Sequence, residues 1–270
     1  MKWLAIAAIL LYLLASWRLL RSATGGAAPV DRVGLLLGMN GGVLHLGFHI
    51  GSAIEADALA LHFFLALSLV SAAMALVGTA VSFARHFDAL GRALYPSAAA
   101  MLALALLAAP ATAAQASPES LSWPLKIHAL LALLAYATLA LAALFACALW
   151  FQERLLRARA LQHPLLRMLP PLTELEALMF RSIEAGFVLL TVALTIGAVF
   201  VENLFAQHLV HKTVLSVLSW SVFGALLVGR IRYGWRGRRA VTLTLLAMGL
   251  LLLAFFGSKF VLELVLNRNG

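Results

Sequence analysis

Eight apolar stretches decide what this chain can become: residues 3–20, 33–54, 58–83, 93–114, 127–150, 178–201, 212–230 and 240–262. A hydrocarbon core of about 30 Å is crossed by about 20 helical residues. Each stretch is long enough to cross. The expected fold class is all-α: a polytopic membrane protein of about eight transmembrane helices, forming one integral-membrane domain over residues 1–270. Of the 270 residues 63% are hydrophobic and only 11% charged, under half of the roughly 25% charge of a soluble domain. A soluble protein of this kind would expose most of its apolar surface to water. The formal charge of +9 does not indicate nucleic acid, because the cations lie between apolar segments and build no patch. The single cysteine, Cys147, excludes an internal disulfide, a CxxC redox pair and a cysteine zinc site.

The cations set the orientation. Lys2, Lys126, Lys212, Lys259 and Arg268 fall on one side, and the other fifteen of the 20 Lys and Arg on the connections after segments 1, 3, 5 and 7. The positive-inside rule places those connections in the cytoplasm and both termini outside. Arg18 and Arg21 follow the first segment, whereas a signal peptide carries its charge in front, so this segment reads as a true first helix. RIRYGWRGRR (230–239) is the most basic connection and should meet anionic headgroups or a cytoplasmic partner. Tyr12, Trp17, Trp123, Trp150, Tyr233 and Trp235 fall near the expected membrane interfaces. Pro170 and Pro171 break the long fifth connection before the sixth helix.

Under this topology His45, His49, His62, His128, His208 and His211 lie in the outer half or at the outer edge, and His86 and His163 inside. His45 and His49 are four apart and share a helical face, which His62 could approach from the next helix. His128 opens the fifth segment, and His208 and His211 open the seventh. Imidazole is the commonest side-chain metal ligand and an axial ligand of haem iron. An interfacial histidine also simply bonds water and headgroups, so both readings stand for each residue. HLVH (208–211) lacks the glutamate of HExxH, and no metal other than haem iron is indicated. No GxSxG, Walker loop or dinucleotide fingerprint is present.

Four further features carry expectations. Arg181 and Glu184, three apart, should pair on one face of the sixth helix, as should Lys259 and Glu263 in the eighth. Gly34, Gly38, Gly42, Gly47 and Gly51 mark close packing in the second helix, or room for a flat ligand beside His45 or His49. Asn40, in the same helix, should be buried against a neighbour.

Several stretches resemble a known family. KIHALLALLAYATLALAALFACALWFQERLLR (126–157), LPPLTELEALMFRSIEAGFVLLTVALTIGAVF (169–200), HKTVLSVLSWSVFGALLVGRIRYGWRGRRA (211–240) and FFGSKFVLELVL (255–266) resemble the cytochrome c assembly membrane proteins, which include CcsA, CcmC and HemX-like proteins. They look most like the YpjD-like branch, with GWRGRRA and FGSKF the most specific elements. The resemblance covers 126–266. Residues 1–125 follow it only in helix layout and in ALSLVS (66–71).

The resemblance implies inner-membrane localisation and haem handling at the outer face. His128 stands where the family's helix-opening histidine stands. The family's tryptophan-rich WxWDPKETW segment is missing, and ENLFAQHLVHKTVLSVLSW takes its place. A second family histidine gives way to Gly229-Arg230, and the last outer one to Lys259–Val261. His128 and His211 are therefore the candidate haem ligands, with His45, His49 and His208 weaker candidates. Lys126 and Lys212 are candidate contacts for haem propionates. The expected function is that of a non-enzymatic haem-binding or haem-handling accessory protein related to cytochrome c biogenesis factors. The missing segment argues against ligase chemistry. The competing expectation is a membrane partner or regulator, for example of an ion transporter, that kept the scaffold and lost haem handling. The partners expected are the bilayer, haem and a membrane or cytoplasmic protein, not nucleic acid.

Overall fold

The computed structural model describes residues 1–23, 30–55, 63–85, 89–113, 123–160, 162–163, 166, 169–200 and 210–257. His62, His86, His208, Lys259 and Glu263 lie outside them. Among the described residues eight helices are long and apolar enough to cross a membrane, and no strand occurs. They are α1 (Lys2–Ala23), α2 (Arg32–Glu55), α3 (Phe63–Arg85), α4 (Ala89–Ala113), α5 (Trp123–Arg157), α6 (Leu172–Phe200), α7 (Val210–Tyr233) and α8 (Arg238–Leu252). A π-helical turn, Leu253–Gly257, continues α8. Helix is the outcome because lipid offers the backbone no hydrogen-bond partner. The chain divides into two compact units, Met1–Leu121 and Ser122–Arg268.

In the first unit α1 packs on α2 and α4, and α3 on α2 and α4, closing a ring. Close approach comes from α2. A side chain at Gly38 would run into the ring of Tyr95, at Gly41 it would meet Tyr12, and at Gly42 Leu76. The room expected for a flat ligand beside the glycines is thus taken at these positions by the unit's own side chains. Asp31 caps α2, accepting the Gly34 N–H at 3.1 Å, and binds Arg18 of α1 at 2.9 Å, so one carboxylate ties the start of α2 to α1.

Two expectations fail here. Tyr12 is not interfacial but fully buried, stacked on Tyr95 with ring centroids 5.9 Å apart. Asn40 is exposed, not buried, and its amide donates to the Leu36 carbonyl of its own helix at 2.8 Å.

In the second unit α5 packs along α6 and against α8, while α7 packs on α8 and α6. The ring therefore runs α5–α6–α7–α8, with α5 and α7 as diagonal members. Gly186 lies against Leu139 and Gly197 against His128, the same eleven-residue step along both helices, which fixes an antiparallel α5–α6 register. Across α6 and α7, Trp220 Nε1 donates to Thr191 Oγ1 at 2.8 Å, and Gly224 faces Phe187. This pairing is also antiparallel. Tyr136 of α5 donates its hydroxyl to the Leu251 carbonyl, beside the change from α to π winding.

The GWRG stretch is folded tightly. Gly234 ends α7 in the left-handed region (φ 63°), and its N–H bonds the Arg230 carbonyl at 3.1 Å, a glycine-dependent C-cap. Trp235 then covers Gly229, where any Cβ would enter the indole. Arg236 forms a two-pronged bond to Glu176 of α6, at 3.0 and 3.1 Å. The bond to Glu176 and its charge hold the Arg236 guanidinium above the ordinary arginine value. Two cations of the basic connection are thus used internally, Arg236 by Glu176 and Arg230 by the face of Phe180 at 3.6 Å.

Replacing Gly38 by Val should drive Tyr95 off its stack on Tyr12. The expected cost is about 1–3 kcal/mol, the usual penalty of overpacking, read as a lowered unfolding midpoint in detergent while helical content is kept.

Candidate functional site

Two of the described histidines, His45 and His49, share one network in the first unit, and His128 is held singly in the second. In the first, His45 is fully buried. Its Nε2 lies 2.8 Å from Ser68 Oγ, and its Nδ1 lies 3.4 Å from the Tyr12 hydroxyl. His49 Nε2 reaches the same Ser68 Oγ at 3.0 Å. The two imidazoles stack at 5.3 Å, as their four-residue spacing on α2 dictates. A serine hydroxyl carries one hydrogen. Ser68 therefore donates to one Nε2 and accepts from the other, so one of the two imidazoles must hold its proton on Nε2. Both nitrogens of His45 are turned to protein partners. The network continues on the other side of Tyr12 through Tyr95, whose hydroxyl lies 2.9 Å from Thr79 Oγ1. Sequence reading found the two histidines but missed Tyr12 and Ser68. The available signal was a hydroxyl in the middle of each neighbouring apolar run.

In the second unit His128 lies in the second turn of α5, half-buried. Its Nδ1 donates to the Ala193 carbonyl of α6 at 2.7 Å. Gly197 makes this possible, because a Cβ there would stand 2.9 Å from the ring's Cε1. A carbonyl can only accept, so the proton of a neutral His128 is on Nδ1 and the lone pair on Nε2. Among the described residues no hydrogen bond is recorded to that Nε2. A backbone carbonyl behind the distal nitrogen is the usual support of a metal-ligating imidazole.

His211 is exposed in the first turn of α7. Among the described residues no hydrogen bond or ring contact joins it to His128. The registers nonetheless put them at one end of the unit. His128 is level with Gly197 of α6. Extending the pairings Thr191–Trp220 and Phe187–Gly224 brings His211 level with Phe200. Three residues of helix separate these levels, about 4.5 Å. The same registers bring Lys126 and Lys212 level with Val199. Both lysines are half-buried, one on each of the helices that flank α6.

At Gly229, where the resemblance pointed to a second histidine, Trp235 fills the space of a side chain. The expected Arg181–Glu184 pair is not formed. Both side chains are exposed on α6, and among the described residues no ion pair joins them. No group of three or more His, Cys, Asp or Glu able to hold a metal ion occurs among the described residues.

Eight membrane-length helices, with an imidazole held by a backbone carbonyl at the rim of the second unit, define a polytopic integral membrane protein. The chain belongs to the cytochrome c assembly protein family, whose model matches residues 42–266. It is 39% identical over 139 residues to the inner membrane protein YpjD of Escherichia coli K12, covering 52% of each chain. An uncharacterised 28.8 kDa protein of Azospirillum brasilense is 38% identical over 143 residues, again 52% of each. The cytochrome c biogenesis protein CcsA of Prochlorococcus marinus MIT 9215 is 29% identical over 160 residues, 52% of each. The chain thus spans about half the length of the curated relatives it matches. No solved structure matches. The protein is a multi-pass inner-membrane protein of the YpjD-like branch.

Ser68→Ala should leave two imidazole nitrogens without their shared partner. The expected loss is about 1–3 kcal/mol, the cost of orphaned buried polar groups, measured by unfolding of the purified protein against wild type.

Proposed function

We propose that this protein is a haem-handling accessory factor of cytochrome c biogenesis, and that it takes haem at the end of the second unit where α5 and α7 begin. The observation that carries the reading is the Nδ1–H bond from His128 to the Ala193 carbonyl at 2.7 Å. It fixes the ring and leaves Nε2 as the ligating atom. His211 lies at nearly the same level and is the second candidate ligand. Lys126 and Lys212, also at one level, are candidate counter-charges for the two propionates. The positive-inside reading turns this end to the outer face. The family description, cytochrome c assembly, and the printed name of the Prochlorococcus relative, a cytochrome c biogenesis protein, support the part of the reading that concerns cytochrome c biogenesis.

Haem, when bound, would supply the redox-active iron. The protein's own part is to hold and orient. The Ala193 carbonyl holds the His128 proton on Nδ1 and stops the ring from turning, and Gly197 keeps the ring seated. The accessory role is proposed without ligase chemistry. His45, with both ring nitrogens bonded inside its unit, is better suited to holding helices together than to ligating iron.

The test is the absorption spectrum of the detergent-purified protein, oxidised and dithionite-reduced, with and without stoichiometric haem. Wild type should give a Soret band and sharp reduced bands. His128→Ala should abolish them, and His211→Ala should shift or weaken them while helical content is unchanged. Gly197→Val should act like a mild His128 variant, with haem affinity lowered about 10–100-fold, the usual cost of disturbing a ligand's supporting contact. A wild-type protein that takes up no haem would sink the reading and favour the membrane partner that kept only the scaffold.

A further inference from the structure

Arg181 and Glu184 are both exposed on α6 and are not bonded to each other. Their depth follows from the α5–α6 register. With Gly186 against Leu139 and Gly197 against His128, Glu184 is level with Leu141 of α5. Leu141 is twelve residues from Glu153 and fifteen from Lys126, about 18 and 22 Å of helix. Glu184 therefore stands near the middle of the bilayer, with Arg181 one turn away. Ionisable side chains at that depth are not left facing lipid.

The face that carries them differs from a lipid-facing one. Its exposed stripe runs Ala185, Val188, Val192, Thr195 and Val199, with no side chain larger than valine. By contrast, the exposed face of α1 is made of bulky groups such as Trp3, Leu10, Leu13 and Trp17. In membranes small side chains let helix backbones approach closely, and polar groups hold the contact.

We propose that this face of α6 is the contact between two copies of the chain. The argument for a second copy is charge complementarity. An acid and a base three residues apart on one face complement themselves about a two-fold axis parallel to the helix, Arg181 of one copy facing Glu184 of the other, twice. Two copies inserted the same way are parallel, as this axis requires. Any other partner would have to bring both charges in matching order.

The experiment uses the full chain in liposomes at low protein-to-lipid ratio, with Cys147→Ser as background. Val188→Cys should form a disulfide-linked dimer on oxidation, and Leu10→Cys on the lipid-facing side of α1 should not. Two differently tagged copies should co-purify. Arg181→Glu alone and Glu184→Arg alone should each lower co-purification about tenfold, the scale of one interhelical polar contact. A mixture of the two variants should restore it, since one chain then presents two acids and the other two bases. Misfolded chains could not rescue each other in this way. The proposal is overturned by a Val188→Cys chain that stays monomeric or links to a different protein. It is equally overturned by single variants that pair as well as wild type, or by a mixture that does not recover.

Discussion

A hydrocarbon solvent gives nothing back to a polar group, and every informative contact in this protein answers to that constraint. It makes the eight helices obligatory, because each backbone must close its own hydrogen bonds. It also makes each intramembrane side chain with a nitrogen or oxygen a question with a traceable answer. Tyr12, His45, Ser68 and His49 answer one another. Tyr136 answers with the Leu251 carbonyl, Trp220 with Thr191, and Ser219 with the Ala247 carbonyl at 2.7 Å. Each of these bonds ties one helix to another or closes a network that does. The polar residues are therefore what gives a set of greasy rods one register.

The helices were legible because their signal is long and redundant. A run of twenty apolar residues survives several exceptions, but its ends are less legible: the sixth segment was expected from 178, after a connection broken by the proline pair, and α6 begins at Leu172, straight after Pro171. What the sequence does not show is which side of each helix faces a neighbour. The eight runs are apolar on nearly every side, with only scattered polar exceptions such as Asn40 and Glu184, so periodicity is weak. Tyr12 was placed at an interface by residue type, whereas it closes the core of its unit. Asn40 was expected inside and lies outside, where its own helix supplies a carbonyl. The Arg181–Glu184 spacing allowed a pair on the helix, and packing left both outward instead.

The candidate site was legible only in part, for a related reason. His128 could be found because it opens a helix and matches a family position. Its support could not, since Ala193 and Gly197 are 65 and 69 positions away along the chain and carry no chemistry of their own. A backbone carbonyl and a missing side chain leave no mark in a list of residue types. The GWRG stretch shows the opposite case. It was recognisable as a string, and its glycines and tryptophan fold it as a unit: a left-handed cap at Gly234, an indole seated on Gly229 and an arginine tied to Glu176.

Glycine does two opposite things at the two ends of the second unit. At Gly197 its missing side chain admits an imidazole that bonds the backbone through Nδ1 and, among the described residues, leaves Nε2 without a hydrogen bond. At Gly229 the same absence admits the indole of Trp235, which fills the space and leaves nothing to coordinate. Under the proposed reading the first end would receive a ligand, whereas at the second the space beside Gly229 is filled. Within this unit, a ligand taken up through His128 would be held at one rim, with no histidine at position 229 to receive it at the other. That asymmetry favours a protein that holds its ligand on one side of the membrane over one that passes it across.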